Sequence, residues 1–226
     1  MRKGIPILLT SLEALAARCQ PKAVQAGQFV FVEGDPCLEL YIVESGRVKC
    51  YRASADGREQ TMKVFDQPGD TFCVVSAFQA GHHIVTARAM SDTRLHALDV
   101  ETIKRIAREH PAVALRLLAT AGDQMKSLVA LAGALSLETA TSRLAKFLCE
   151  LARTEGARNG TEIQLRRDRH SVEELASMLG TVRGHVSRSL NNLVRAGAIR
   201  LDVPRPVCKR RVATGRQTDS TPGPVQ

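Results

Sequence analysis

An α+β fold is predicted by three observations in this chain of 226 residues. Glycines recur between short apolar segments in the first half, at positions 34, 46, 57, 69 and 81. A long helical segment with heptad spacing follows, and a helix-turn-helix pattern comes after it. Short strands at regular spacing with glycine-bearing turns indicate an all-β sandwich or roll. The helical segments behind that roll make the whole chain α+β.

The β-roll is predicted to occupy residues 1–110, with a short amphipathic helix inside residues 1–20. Its strands are the alternating or continuous apolar runs FVFV, LYIV, VKCY, MKVF, FCVV, IVTA and RLHAL. The glycine intervals of 12, 11, 12 and 12 residues are too short for the helical crossovers that a parallel α/β sheet needs. A roll of stacked hairpins therefore fits the first half.

A long dimerisation helix is predicted for residues 111–136. Asp99 is placed to cap a shorter helix before it, and Pro111 separates the two. Heptad spacing of apolar residues, with one glutamine that can fix the register, marks the dimer seam. Its members are Leu117, Ala121, Gln124, Leu128, Leu131 and Leu135.

A second apolar stripe, made of Leu118, Met125 and Ala132, lies one residue further along the same helix. Two stripes must cover two surfaces, so we expect one to face the β-roll and the other an identical helix. The alternative is a helix that is buried within one subunit.

A helix-turn-helix is predicted between Ser171 and Ile199. Ser171 and Glu174 have the spacing of a capping box. Gly180 stands where the first helix must turn, and Thr181 can cap the second helix, residues 181–196. Apolar side chains of both helices fall on one face, which leaves a polar face that is free to enter a groove of DNA. A plain helical hairpin is the alternative.

Composition supports a polyanionic partner. The chain carries a formal charge of +9, and residues 166–211 hold eleven Lys and Arg against four Asp and Glu, a surplus of seven. The absence of Trp argues against a stacking platform for single strands. We expect a cytoplasmic protein without a membrane span, because no apolar run approaches 18 residues and the N-terminal run is too short for a signal peptide.

Cysteine spacing and motifs exclude several other classes. The six cysteines are far apart and form no C-x-x-C pair, which disfavours a disulfide framework or an iron–sulfur cluster. The sequence contains no nucleophile elbow, P-loop or H-E-x-x-H motif, so an enzyme is not expected.

The chain resembles the cyclic-AMP receptor protein/FNR family of bacterial transcription regulators. The resemblance covers about residues 5–203, through the stretches AGQFVFVEGDPCLELYIVESGRVKCYRASADGREQ, QPGDTF, ETATSRLAKFLCELA and HSVEELASMLGTVRGHVSRSLNNLVRAGAI. It implies a cyclic-nucleotide-binding type of β-roll, a long dimer helix and a winged helix-turn-helix in residues 137–212. It also implies double-stranded DNA, a second copy of the chain and RNA polymerase as partners.

The resemblance implies two sets of DNA contacts. Residues just after the turn and one helical turn later face base edges in the family, and here they are Val182, Arg183, Gly184, Ser187 and Arg188. Either arginine can present a bidentate fork to guanine. Gly184 replaces a glutamate that many members carry. Phosphate contacts, which position without specifying sequence, are expected from Ser171, Thr181 and His185.

The expected wing departs from the family pattern. Residues 200–203 can form one strand, but Pro204 and Pro206 stand where the turn and return strand belong. Basic residues in this stretch can still lie along phosphates. The polar tail, residues 213–226, is expected to be disordered.

The effector site is expected around Phe72, Cys73, Val74, His82 and His83. Members that bind cyclic nucleotides carry Gly-Glu and then Arg-Ser in this segment, whereas here Cys73 and Val74 replace the first pair. Without those groups a buried cyclic phosphate is an unpaired charge, so cyclic AMP is disfavoured as the effector.

Haem and thiol chemistry are the alternatives for this segment. Cys73 matches the haem-ligating cysteine of the family's CO-sensing member, while Val75 replaces that member's histidine. His82, His83 and His96 are other candidate ligands. The alternative without a functional role is that Cys73 is simply a small buried side chain. A haem- or thiol-based sensor with a degenerate wing remains the alternative function.

Overall fold

A computed structural model of the chain describes residues 19–154 and 170–199. The predicted N-terminal helix falls outside these ranges except for its last two residues. The predicted strand at 200–203, the proline-containing wing and the tail at 213–226 also lie outside them. The domain boundaries predicted at residues 110, 136 and 212 stay predictions.

The first half folds into two four-stranded antiparallel sheets, which confirms the predicted β-roll. The sheet orders are β1-β8-β3-β6 and β2-β7-β4-β5. The strands are β1 (Gln20–Val24), β2 (Phe29–Phe31), β3 (Glu39–Ser45), β4 (Val48–Ala53), β5 (Glu59–Phe65), β6 (Thr71–Phe72), β7 (Thr86–Ala89) and β8 (Thr93–Asp99).

The predicted glycine turns are confirmed, since all five glycines have positive φ angles. Gly46 shows most directly why a glycine is needed. Its φ is +94°, and a Cβ added there would lie 2.5 Å from Thr93 Oγ1 and 2.6 Å from the Thr93 Cα. Any larger residue would push the β3–β4 turn away from the start of β8.

The two sheets enclose an aromatic core. Phe31, Tyr41, Phe65 and Phe72 are buried, and neighbouring rings have centroids 5.1–6.2 Å apart. The prediction of a continuous strand through FCVV is wrong, because β6 ends at Phe72. The chain then turns sharply at Cys73 and enters a helical segment that includes a π-helical turn at Ser76–Ala80.

Five α-helices are described after the roll. They are α1 (Val100–Glu109), α2 (Pro111–Leu137), α3 (Ala140–Thr154), α4 (Val172–Leu179) and α5 (Arg183–Arg195). Asp99 caps α1 as predicted, with its carboxylate accepting a 2.8 Å bond from the Thr102 amide. Pro111 occupies the first turn of α2, where a missing N–H costs nothing. Within the described ranges, no helix is both long and apolar enough to cross a membrane.

The long helix α2 lies along its own β-roll. Leu117 packs against the cluster of Leu98, Ile103, Ile106 and Val113. Gln124 donates a 3.0 Å bond from Nε2 to the carbonyl oxygen of Thr71. Of the six residues predicted for the dimer seam, four are therefore partly covered within the single chain: Leu117, Ala121, Gln124 and Leu131.

The exposed apolar face of α2 is displaced by about one residue from the predicted seam. It contains the second predicted stripe and repeats at intervals of 3 and 4. Its members are Leu115, Leu118, Gly122, Met125, Val129 and Ala132. Leu128 and Leu135 of the predicted seam are also exposed, although less so, at 41% and 37%. The predicted seam stays a prediction, and four of its six residues also contact their own subunit.

Candidate nucleic-acid interface

The first helix of the predicted pair begins as the sequence predicts. The Ser171 hydroxyl accepts a 3.1 Å bond from the Glu174 amide, and the Glu174 carboxylate accepts one of 3.1 Å from the Ser171 amide. This reciprocal capping box satisfies two amides that the helix cannot pair itself. Helix α4 therefore has a fixed start at Ser171.

The turn between the helices is made by Gly180. It has φ +60° and ψ +46°, and its amide closes α4 by donating to the carbonyl of Ala176. The prediction that Thr181 caps the next helix is wrong. Val182 is the N-cap of α5 without a side-chain bond, while the Thr181 hydroxyl lies 3.2 Å from Nδ1 of His185. Helix α5 thus begins at Arg183 rather than at residue 181.

A compact apolar core holds the two helices against α3. The buried members are Leu144, Leu175, Ala176, Leu179, Val186 and Leu190. The Thr141 and Ser189 hydroxyls, 2.8 Å apart, add a polar tie between α3 and α5. Because these contacts use one side of α5, its other side is left to solvent.

The open side of α5 carries the residues predicted to read DNA. Val182, Arg183, Gly184, His185 and Arg188 are exposed, and Ser187 is half-buried. The structure therefore brings these predicted residues together on one surface at the start of α5. This surface is mostly polar and lies at the N-terminal end of α5, which is 13 residues long. The N-terminal residues of a recognition helix are the ones that contact base edges in a major groove.

The two arginines of this surface are held differently. Arg183 forms an exposed ion pair with Glu173 of α4, with Nη1 2.8 Å from Oε1. Arg188 lies along its own helix, where Nε donates a 3.3 Å bond to the carbonyl of Gly184. An exposed ion pair contributes little to stability and exchanges readily for another acceptor. Both guanidinium groups are therefore available to an incoming acceptor such as a guanine edge or a phosphate.

Glu173 was not predicted to belong to this surface. Nothing in the local sequence pattern marks it, because its partner lies ten positions further along the chain. Most of the predicted basic stretch falls outside the described residues. Of the eleven Lys and Arg between 166 and 211, the described residues hold Arg183, Arg188 and Arg195.

Comparison with known proteins gives consistent results for both halves of the chain. The model of the cyclic nucleotide-binding domain matches residues 21–110, and that of the Crp-like helix-turn-helix domain matches residues 142–208. The chain is 34% identical over 182 residues to the cyclic AMP receptor protein of Thermus thermophilus, covering 80% of either chain. It belongs to the cyclic-AMP receptor protein/FNR family of transcription regulators.

Other family members are similar over most of their length. The CRP-like cAMP-activated global transcriptional regulator of Mycobacterium tuberculosis is 28% identical over 193 residues, which is 85% of both chains. Among solved structures, a CooA variant from Carboxydothermus hydrogenoformans superimposes with a TM-score of 0.70 at 27% identity, covering 87% of this chain and 88% of that one. Both matches cover more than four fifths of this chain, so they include both of its halves.

The segment in which cyclic-nucleotide-binding members hold their ligand is packed with side chains here. Phe72, Val74 and His83 are buried, and His82 is exposed. The His83 ring stacks on Phe31 with centroids 3.6 Å apart. Burial lowers the pKa of His83, although Asp35 opposes this change, so the imidazole is a poor partner for an anion. Three of the five expected effector residues, Phe72, Val74 and His83, are therefore buried, whereas Cys73 is half-buried and His82 lies at the surface.

Cys73 stands in a left-handed backbone conformation, with φ +69°. Glycine adopts this conformation easily and cysteine does not. The family's cyclic-nucleotide-binding members carry glycine at this place. Burial raises the pKa of the Cys73 thiol well above its usual value, and that of Cys50 to about 12. Both thiols are therefore protonated and weakly nucleophilic at neutral pH.

Proposed function

We propose that this chain is a homodimeric, sequence-specific DNA-binding regulator of transcription that reads the major groove with α5. The observation that carries the proposal is the open polar surface at the start of α5, which the buried core below it holds in place. Two such helices in a symmetric dimer would enter successive major grooves, about 34 Å apart.

The roles of individual residues follow from where they lie. Arg183 and Arg188 would each offer two parallel N–H donors to a guanine, the commonest specific contact in a major groove. Ser171, Thr181 and His185 flank this surface and would position the protein by contacting phosphates. Gly184 provides no side chain, so the half-site read here differs from that of members with a glutamate at this position. Val182 and Ser187 would make apolar and hydroxyl contacts to base edges.

Dimerisation is proposed to use the exposed stripe of α2. Six apolar or small residues without a cover in the single chain line one side of this helix, from Leu115 to Ala132. A second copy of the same helix would bury them in a symmetric coiled coil. Leu128 and Leu135 border this stripe and would extend the interface, whereas the other predicted seam residues would support it from behind.

Further partners and location follow from the family. RNA polymerase is the expected protein partner, the cytoplasm is the expected location and no catalytic activity is expected. These proposals rest on the family membership and on the absence of catalytic motifs in the sequence.

The residues at the effector position do not fit either cyclic AMP or haem. The Gly-Glu and Arg-Ser groups are missing, and the segment is filled by the stacked His83 and Phe31 rings. The Cys73 side chain packs against two apolar clusters, and burial raises the pKa of its thiol, which disfavours thiol oxidation. Val75 stands where the CO-sensing member has its second haem ligand, a histidine. Haem binding is tested by the visible absorption spectrum of the purified protein. A haem-based sensor would show an absorption band that is lost in C73A. A colourless protein that also leaves the spectrum of added haem unchanged would exclude haem as the cofactor.

The DNA-reading proposal is tested with three alanine variants. A preferred site is selected from a random double-stranded library with the wild-type protein, and binding is measured by fluorescence anisotropy. R183A and R188A should each weaken binding to that site by about tenfold or more, since a bidentate contact discriminates by roughly 1–3 kcal/mol. R195A, in the last turn of the same helix, is the matched control and should leave site preference unchanged. Equal losses in all three variants would contradict the assignment.

A further inference from the structure

In this structure the helix-turn-helix contacts the β-roll directly. The end of α4 touches strand β5, more than a hundred residues earlier in the chain. Thr61 Oγ1 and Ser177 Oγ lie 2.7 Å apart, and both residues are buried. Beside them, the Gln60 amide donates a 3.3 Å bond to the carbonyl of Ser177. We name these residues, together with Gly180, the β5–α4 clasp.

The clasp is closely packed at Gly180. A Cβ added to this residue would lie 2.3 Å from Gln60 Oε1 and 2.3 Å from Leu135 Cδ2. Gly180 therefore serves two purposes, because it also adopts the left-handed conformation that ends α4. The left-handed turn and the close approach of Gln60 and Leu135 thus both restrict this position to glycine.

The clasp lies at the edge of a crevice. The crevice has a volume of about 320 Å³ and is lined by residues 52–54 and 58–60 on one side and by Gly180 and Thr181 on the other. The polar groups of the clasp therefore stand beside open space, and replacing them should change the attachment of α4 to β5 measurably.

Both sides of the clasp are anchored to rigid structure. On the β-roll side, Glu59 precedes Gln60 and forms ion pairs with Lys49 of β4 and Arg88 of β7. On the other side, Arg143 of α3 donates from Nε to the carbonyl of Leu179 at 2.8 Å, and from Nη1 to that of Glu138 at 2.6 Å. One guanidinium therefore ties the end of α4 to the end of α2.

We propose that the β5–α4 clasp is a preorganising contact that fixes the orientation of the reading helix relative to α2. The open surface of α5 is exposed while the clasp is closed, so the closed state presents the DNA-reading residues rather than hiding them. Opening the clasp would let the helix pair sample orientations that cannot meet DNA. The apparent affinity is the intrinsic affinity multiplied by the competent fraction, and it would fall accordingly.

This proposal rests on the proposed function, since DNA affinity is one of its two measurements. The main variant is T61V/S177A, which removes both hydroxyls of the clasp. Because both partners are replaced together, no buried polar group is left unpaired, and folding should be retained. We expect the affinity for the selected site to fall roughly three- to tenfold, as expected for the loss of one or two weak polar contacts.

The matched control is T141V/S189A. It removes a hydroxyl pair of similar geometry, 2.8 Å apart, that lies entirely within the C-terminal helices. Calorimetry should distinguish the two variants. In T61V/S177A, the β-roll and the C-terminal helices should unfold in two transitions at more widely separated temperatures than in the wild type. In T141V/S189A, only the transition of the helices should move to a lower temperature. A T61V/S177A protein that binds DNA as wild type does, or more tightly, would overturn the proposal.

A second pair of variants tests the clasp from the opposite side. Gly180 and Gly197 have similar φ angles, +60° and +69°, but a Cβ at Gly197 meets nothing within 4 Å. G180A and G197A therefore both place a Cβ in a left-handed backbone conformation, at a similar cost in free energy. Only the Cβ of G180A would also collide with Gln60 and Leu135 in the clasp. We expect a larger loss of affinity in G180A, partly restored by Q60A in the same chain; equal losses would count against the clasp. If the wild type selects no DNA at all, the proposed function fails, while calorimetry still tests the clasp.

Discussion

Single residues explain why the effector segment of this chain differs from that of the nucleotide-binding members. Cys73 keeps the left-handed backbone that suits glycine, and its side chain packs between the two clusters that meet below it. His83 is uncharged and its ring stacks on that of Phe31, so the effector segment packs against strand β2. Sequence alone predicts that the ligand-binding groups are missing. It cannot predict that histidine fills the space, since that depends on where β2 lies.

The strain at Cys73 can be measured by comparing C73G with C73A. Both variants lack the thiol, but only alanine keeps a Cβ in the left-handed conformation, which costs roughly 1–2 kcal/mol. We expect urea unfolding to give C73G a free energy of unfolding about 1 kcal/mol higher than that of C73A. This order is the reverse of the usual one, in which glycine is less stable than alanine. The pair A97G and wild type, within a regular strand, is the control and should show the usual order. A C73A protein as stable as C73G would show that the backbone adapts without cost.

At the scale of elements, sequence periodicity predicts the long helix and its two apolar stripes, but it cannot assign each stripe to the surface that it contacts. The heptad spacing predicted one long helix with two apolar stripes, and the helix is found at Pro111–Leu137. Which stripe faces outward could not be predicted, because it depends on the position of β6, whose Thr71 accepts the Gln124 bond. The capping box was predictable, since its two residues are three positions apart. Arg143 was not, because its three acceptors lie at the ends of different helices.

The exposed stripe of α2 predicts a specific disruption of the dimer. L118E/M125E places two charges on residues that are 68% and 63% exposed in the single chain, so the fold of one subunit should tolerate them. In a coiled coil the same charges would be buried and unpaired, which is costly. Sedimentation should therefore show monomers with an intact circular dichroism spectrum. A130E, exposed on the solvent side of the helix, should stay dimeric; a dimeric L118E/M125E would place the interface elsewhere.

At the scale of the molecule, the β-roll and the helix-turn-helix are joined in two ways. The chain connects them through α2 and α3, and the β5–α4 clasp connects them across more than a hundred residues. The order of the parts was predictable from local patterns. The clasp was not, because nothing in the neighbourhood of Thr61 or Ser177 indicates the other. The clasp and Arg143 make the reading surface part of one connected body, whose charge should then govern how the whole molecule approaches DNA.

The basic stretch after the described residues should contribute affinity without specificity. Lys209, Arg210 and Arg211 add three charges per subunit close to the reading helices in sequence. If they contact phosphates, replacing all three by glutamine should flatten the plot of log affinity against log salt by roughly 0.9 per lost contact. The preference between the selected site and a scrambled one should not change, because phosphate contacts carry no sequence information. The control removes three exposed charges, Arg94 of β8 and Arg105 and Arg108 of α1, and should keep the wild-type slope. An unchanged slope in the first variant would mean that phosphate binding belongs to the helix pair alone.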